Sequence, residues 1–244
     1  MARITLVLSP HLDDAVLSCA GYLGCHKSVI ATVFTEGDPS YEARRQEDLE
    51  AARIIGARAQ HLGFKDAPFR SVLYSNFVGI IGGGFKPLLR LEKALAQLLD
   101  EFDPEFVLAP LGVGNHIDHR LLRYAATKLV RPERLLYYED RPYAFVRDQV
   151  DFTIGTAPHP DWESYFAAHY VQTYLAGTHP YAVRKAFAAA KPFLGVEPVR
   201  ESPAPNLDAL CAYRTQLNDL FSSPAAMATL YASRPERYWA RTPA

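Results

Sequence analysis

Residues 4–14 read Ile4-Thr5-Leu6-Val7-Leu8-Ser9-Pro10-His11-Leu12-Asp13-Asp14, and this stretch decides the fold. A short, mainly apolar run halted by Ser9-Pro10 is the pattern of a strand buried on both faces, as in parallel sheets. Residues 15–25 then carry a helical pattern. The polar group His11, Asp13 and Asp14 therefore stands at a strand-to-helix turn. In open α/β sheets, ligands bind beyond the carboxyl ends of the strands.

Working outward, the same step repeats. Residues 29–34 read as a second buried strand and residues 40–56 as a helix, with Gly56 as its C-cap. A shorter strand follows at 59–62, then a helix at 88–102, a strand at 105–109, a helix from about Asp118 to Val130, and a strand at 135–138. Alternation of this kind predicts a Rossmann-like α/β fold: a largely parallel, twisted sheet with helices on both faces. Residues 66–87 contain Pro68, Gly79, Gly82-Gly83-Gly84 and Pro87, the composition of a long loop or lid. Beyond 145 the pattern weakens. A strand is expected at 152–156 and helices at 161–175, 179–191 and 206–221. The expected organisation is one domain, 1–244, with a core of about 3–145 and a C-terminal elaboration of about 146–244.

Composition narrows the classes of function. The chain has 244 residues, 49% hydrophobic and 22% charged, which suits a globular protein and excludes wholesale disorder. Its 26 basic and 27 acidic residues give a net charge of −1, against binding of nucleic acid by bulk positive charge. No apolar stretch approaches the ~20 residues of a membrane span, so no membrane partner is expected. Cys19, Cys25 and Cys211 form no CxxC pair and no even framework, which suggests a reducing, cytoplasmic setting.

Four strand ends deliver acids and histidines to one edge of the expected sheet. They carry His11-Leu12-Asp13-Asp14, Thr35-Glu36-Gly37-Asp38, His116-Ile117-Asp118-His119 and Glu139-Asp140-Arg141. Adjacent carboxylates in a turn point differently, so one can ligate a metal while its neighbour faces the open position. Zinc accepts such a nitrogen and oxygen set, and a catalytic site keeps three protein ligands and one water whose pKa the metal lowers. Taken singly, Asp13 and Asp118 are equally good helix caps. Arg44 and Glu47 read either as contacts to substrate or as an i, i+3 pair on a solvated helix face. Glu139 and Asp140 sit at a strand end, but Asp140-Arg141-Pro142 also makes a good turn. His159-Pro160-Asp161 reads as a helix start, with Pro160 first and Asp161 in the first turn.

The pair Ser9-Pro10-His11-Leu12-Asp13-Asp14 and Asn115-His116-Ile117-Asp118-His119 closely resembles the PIG-L/LmbE family of metal-dependent N-deacetylases. The resemblance runs over about residues 3–140, through Arg44-x-x-Glu47, Leu62-Gly63-Phe64 and Tyr138-Glu139-Asp140, and thins to Tyr213-Arg214-Thr215-Gln216 beyond. It implies His11, Asp14 and His119 as metal ligands and Asp13 as general base. It implies His116 as acid or oxyanion stabiliser, with Asp118 orienting it. Arg44, Glu47, Glu139 and Asp140 become candidate substrate-binding residues. The implied cofactor is Zn2+ or another divalent transition metal. The implied partner is a small N-acetylated molecule, an amino sugar or glycoside, and a homo-oligomer is possible. Ala15 stands where many members have Glu, and Tyr213 where many have His. Two alternatives compete: an amidase for a larger acyl or thiol-conjugated amide, and a non-catalytic nucleotide-type binder. The latter is weakened because no GxGxxG turn follows the first strand.

Overall fold

The computed structural model describes residues 4–175 and 177–242. Residues 1–3, 243 and 244, the outer limits of the expected domain, lie outside the described residues. The chain opens with β1 (Thr5–Ser9), α1 (Asp14–Leu23), β2 (Ser28–Glu36), α2 (Tyr41–Ile55) and β3 (Arg58–Lys65). Two short helices, α3 (Ala67–Arg70) and α4 (Phe77–Gly82), lead to α5 (Leu89–Phe102), β4 (Phe106–Pro110), α6 (Ile117–Leu129) and β5 (Leu135–Tyr138). Four more helices follow: α7 (Gln149–Ile154), α8 (Trp162–Ala167), α9 (His169–Tyr174) and α10 (Pro180–Ala188). The chain ends with β6 (Val196–Glu201), α11 (Leu207–Leu210), α12 (Arg214–Leu220), α13 (Pro224–Ser233) and β7 (Arg237–Arg241).

One seven-stranded sheet runs β3-β2-β1-β4-β5-β7-β6. The first five strands are parallel, and β7 pairs antiparallel with both β5 and β6. The expected mainly parallel α/β architecture is therefore present. All five residues of β1 are buried, as a central strand covered on both faces requires. One core layer joins Val7, Ile30, Leu108 and Tyr138 to α1, α2 and the C-terminal helices, through Phe187, Tyr213 and Tyr231. The other joins Leu6, Leu8 and Val107 to Leu95, Leu98 and Leu122 of α5 and α6.

Several expectations are corrected. Residues 66–87 are not a bare loop: they fold into α3, a 3-10 turn (Val72–Tyr74) and α4. Gly79 and Gly82 serve close packing, since a Cβ on Gly79 would fall 2.1 Å from the Leu73 carbonyl oxygen and one on Gly82 2.9 Å from the Ala186 side chain. The strand expected at 152–156 is helical. Its alternating apolar residues mimic a strand, but Gly155 at φ 83° closes α7 with backbone bonds to Asp151 and Phe152. The helix expected over 161–175 breaks at Ala168, which is extended, and Asp161 is its N-cap rather than a first-turn residue. The helix expected over 206–221 is likewise divided into α11 and α12. Strands β6 and β7 and helix α13 were not expected. Strand β6, Val-Glu-Pro-Val-Arg-Glu, is exposed along almost its whole length, with a proline and charges that suit a sheet edge.

Candidate metal centre

The turn after β1 is closed by Ser9. Its Oγ donates to the His11 carbonyl at 2.7 Å and accepts the Ala15 amide at 3.0 Å. Ser9 thereby serves an amide at the head of α1. Asp13, at the N-cap position, makes no capping bond with its side chain. Its carboxylate is left for the cavity, which overturns the purely structural reading of that residue. Asp14 turns back instead, accepting the His11 amide at 2.8 Å and lying 3.0 Å from His11 Nδ1.

The second half comes from β4 and β5. Gly112 and Gly114 both have φ of 83°, and Asn115 has φ of 60°, so the loop turns sharply before α6. Asp140, at the end of β5, accepts the amides of Gly112 and Val113 at 2.7 and 2.8 Å through Oδ2. Its other oxygen lies 2.5 Å from His119 Nδ1. This carboxylate fixes the ring of His119 and leaves Nε2 as the free nitrogen. His119 Nε2 is buried without a hydrogen-bond partner, 3.3 Å from Asp14 Oδ2.

Two ring nitrogens, His11 Nδ1 and His119 Nε2, thus meet at one carboxylate oxygen, Asp14 Oδ2. Donors held at ~2.0–2.2 Å around a tetrahedral ion stand roughly 3.3 Å apart, and Asp14 Oδ2 lies 3.0 and 3.3 Å from the two nitrogens. The residues present fit a divalent metal. The electrostatics agree. Burial disfavours a charged His119, yet Asp14 and Asp140 outweigh it and push the ring up to about 9. Both carboxylates thus favour positive charge at this position. His11, His116 and His119 offer ring nitrogens within 4.8 Å of one another.

Asp13 sits beside this set. Burial and the neighbouring Asp14 raise its carboxyl to about 6, against the opposing pull of Arg44 and His11. Burial, with His11 and His119 nearby, lowers His116 to about 3 and so favours a neutral ring. Its Nδ1 accepts the Asp118 amide at 3.2 Å, which leaves the ring proton on Nε2.

Asp118 departs from what the resemblance implies. Its carboxylate does not orient His116. It accepts the Ala67 amide at 3.0 Å, pairs with Arg70 and lies 3.3 Å from His11 Nε2. Asp118 therefore holds the His11 ring and anchors α3. Asp66 shares that task, with Oδ1 3.4 Å from His11 Nε2 and Oδ2 accepting from Tyr41 Oη. Asp66 was missed as a site residue. Its place immediately after β3, another strand end, was the available signal.

A cavity of about 270 Å³ opens over these residues. Arg44 lines it, 4.0 Å from Asp13 Oδ1 and 4.9 Å from the centre of the Tyr41 ring. Tyr143, Tyr174 and Gln216 line it from the C-terminal half. The other three candidate substrate residues are engaged elsewhere. Glu47 is buried and bonded to Thr215, and Glu139 to Arg237 and Trp239. Asp140 holds His119.

Fold and site define a class: an α/β protein with a buried cluster of histidines and carboxylates, able to hold a cation, at the carboxyl edge of its sheet. The family model described as "PIG-L: GlcNAc-PI de-N-acetylase" matches residues 6–130, and the chain belongs to this family. A 2'-N-acetylparomamine deacetylase of Streptomyces fradiae is 34% identical over 169 residues, 60% of this chain and 60% of that relative. The match thus spans less than two thirds of the relative's length. A deacetylase of teicoplanin biosynthesis in complex with bog superposes with a TM-score of 0.65 at 18% identity, over 97% of both chains. The zinc-inhibited form of teicoplanin deacetylase Orf2 gives 0.62 at 17%, again over 97% of both. Among the described residues no helix is long and apolar enough to cross a membrane.

Proposed function

We propose that this chain is a metal-dependent N-deacetylase that hydrolyses the acetamide of a small amino sugar or glycoside. The observation that carries the reading is the meeting of His11 Nδ1 and His119 Nε2 at Asp14 Oδ2, beside Asp13, a carboxylate not used as a helix cap. A divalent ion in that set, for which zinc is our assignment, would supply Lewis acidity to a bound water and to the amide carbonyl. Asp13, raised to about 6, is matched to take the proton of the attacking water near neutral pH. The same group then returns the proton to the departing amine. Neutral His116 donates from Nε2 to the oxygen of the tetrahedral intermediate. The carbon–nitrogen bond breaks, and acetate and a free amine leave. His11 and His119 are held by Asp118, Asp66 and Asp140, so little reorganisation accompanies the reaction.

An amino-sugar substrate is supported by membership of a family described by its action on GlcNAc-PI and by the relative that acts on 2'-N-acetylparomamine. The three free cysteines accord with a reducing compartment. The test pairs elemental analysis with amine release from 2'-N-acetylparomamine and other N-acetylated sugars. We expect about one zinc per wild-type chain, none in His119→Ala, and metal retained with turnover lost in Asp13→Asn. Full turnover by Asp13→Asn would remove the assigned base. A wild type that takes up no divalent metal would remove the reading.

A further inference from the structure

Adjacent carboxylates on α2 hold a turn far away in sequence. Glu47 engages Thr215 twice: Oε1 accepts its amide at 3.0 Å, and Oε2 accepts its hydroxyl at 2.7 Å. Asp48 accepts from Tyr213 Oη at 2.8 Å. Arg214 between them pairs with Glu50 at 3.0 Å. Three consecutive residues are therefore tied to one helix across 164 to 168 positions of sequence.

Gln216 comes next, and it lines the cavity. Its Nε2 donates to Thr215 Oγ1 at 3.2 Å, the hydroxyl that Glu47 holds. Among the described residues its Oε1 receives no hydrogen bond. The carboxamide thus offers an open acceptor and a second amide proton at a fixed place. Glu47 is 4% exposed, and no basic side chain among the described residues pairs with it. Burying an unpaired carboxylate is costly, and a surface turn alone does not require it.

We propose that Gln216 is a substrate-binding residue whose carboxamide reads a ring hydroxyl of the N-acetylated sugar, and that Glu47 is the positioning residue that fixes it. A hydroxyl both donates and accepts, and a carboxamide is complementary to it. Holding the side chain in advance removes ordering cost on binding. The inference rests on the deacetylase reading and specifies which residue outside the catalytic set recognises the sugar. It also gives Glu47 a different task from direct substrate contact.

The experiment is a double-mutant cycle on the zinc-loaded full chain with 2'-N-acetylparomamine. Gln216→Leu and Glu47→Ala should each raise KM about tenfold, with kcat falling less than threefold, because one hydrogen bond to substrate is lost. If Glu47 acts through Gln216, the double variant is no worse than either single one. Glu47→Gln, which retains an acceptor for the Thr215 amide, should recover most of the loss. Thr215→Val provides a milder break of the clasp should Glu47→Ala not fold. A KM for Gln216→Leu within twofold of wild type overturns the proposal, and so do effects that multiply in the double variant. Absence of wild-type turnover of this and the other N-acetylated sugars removes the deacetylase reading and this inference together. Wild-type turnover with unaltered variants removes the inference alone.

Discussion

The two walls of the cavity are built on different plans. The metal wall consists of residues 9–14 and 112–119 with Asp140, and its polar groups are fixed by hydrogen bonds within the turns and between neighbouring strand ends. Ser9 closes one turn, and Asp140 holds both the second loop and the His119 ring. The facing wall gathers Phe77, Ile80, Tyr143, Tyr174, Gln216 and Leu220 from separate elements, most of them short helices. Its order depends on ties across the chain, such as Glu47 to Thr215 and Asn115 Nδ2 to the Ile81 carbonyl. Chemistry thus sits on a wall whose polar groups hold one another, and selection of substrate on a wall assembled from short helices. Changes to the first should alter turnover and metal binding. Changes to the second should alter KM, and changes remote from both should alter stability alone.

The largest effect is expected from the metal wall. Removing the metal with a chelator should abolish amine release, and adding back zinc should restore it; undiminished turnover after complete removal, checked by elemental analysis, would sink the metal assignment. Next in size, Asp140→Asn should weaken metal affinity about 10–100-fold, because it disturbs the group that orients His119. Competition with a chromogenic chelator measures this, and an unchanged affinity would place Asp140 outside the centre's support. On the facing wall, Tyr174→Ala should raise KM several-fold with zinc content unchanged, as read by steady-state kinetics beside metal analysis. A loss of zinc there would blur the two walls into one. Smallest in function is Glu236, which does not line the cavity and accepts the Gly21 and Tyr22 amides where α1 is kinked at Cys19. Glu236→Ala leaves those amides unpaired and should cost about 1–3 kcal/mol in urea unfolding, while KM stays at its wild-type value.

The metal wall was legible in the chain because its cues are contiguous. A strand-ending proline, an imidazole and two carboxylates fall within residues 9–14, and two histidines and an acid within 116–119. Strand-to-helix alternation up to residue 138 then placed both groups on one sheet edge. Local pattern could not show where each carboxylate points. Asp118 turned to His11 and Arg70 rather than His116, and Glu47 to Thr215, because each partner lies on an element distant in sequence.

The sequence by itself therefore determined the α/β class, the chain order of the elements through the fifth strand, and the two acid- and histidine-bearing turns at one sheet edge. Only the tertiary structure decided that β7 inserts antiparallel between β5 and β6, that residues 66–87 are folded, and that Gln216 reaches the cavity. The physical reason is range. Helix and strand periodicity and the residues of a single turn act over a few positions. A buried carboxylate takes whichever donor the packed chain brings to it, and that choice exists only once distant segments have met.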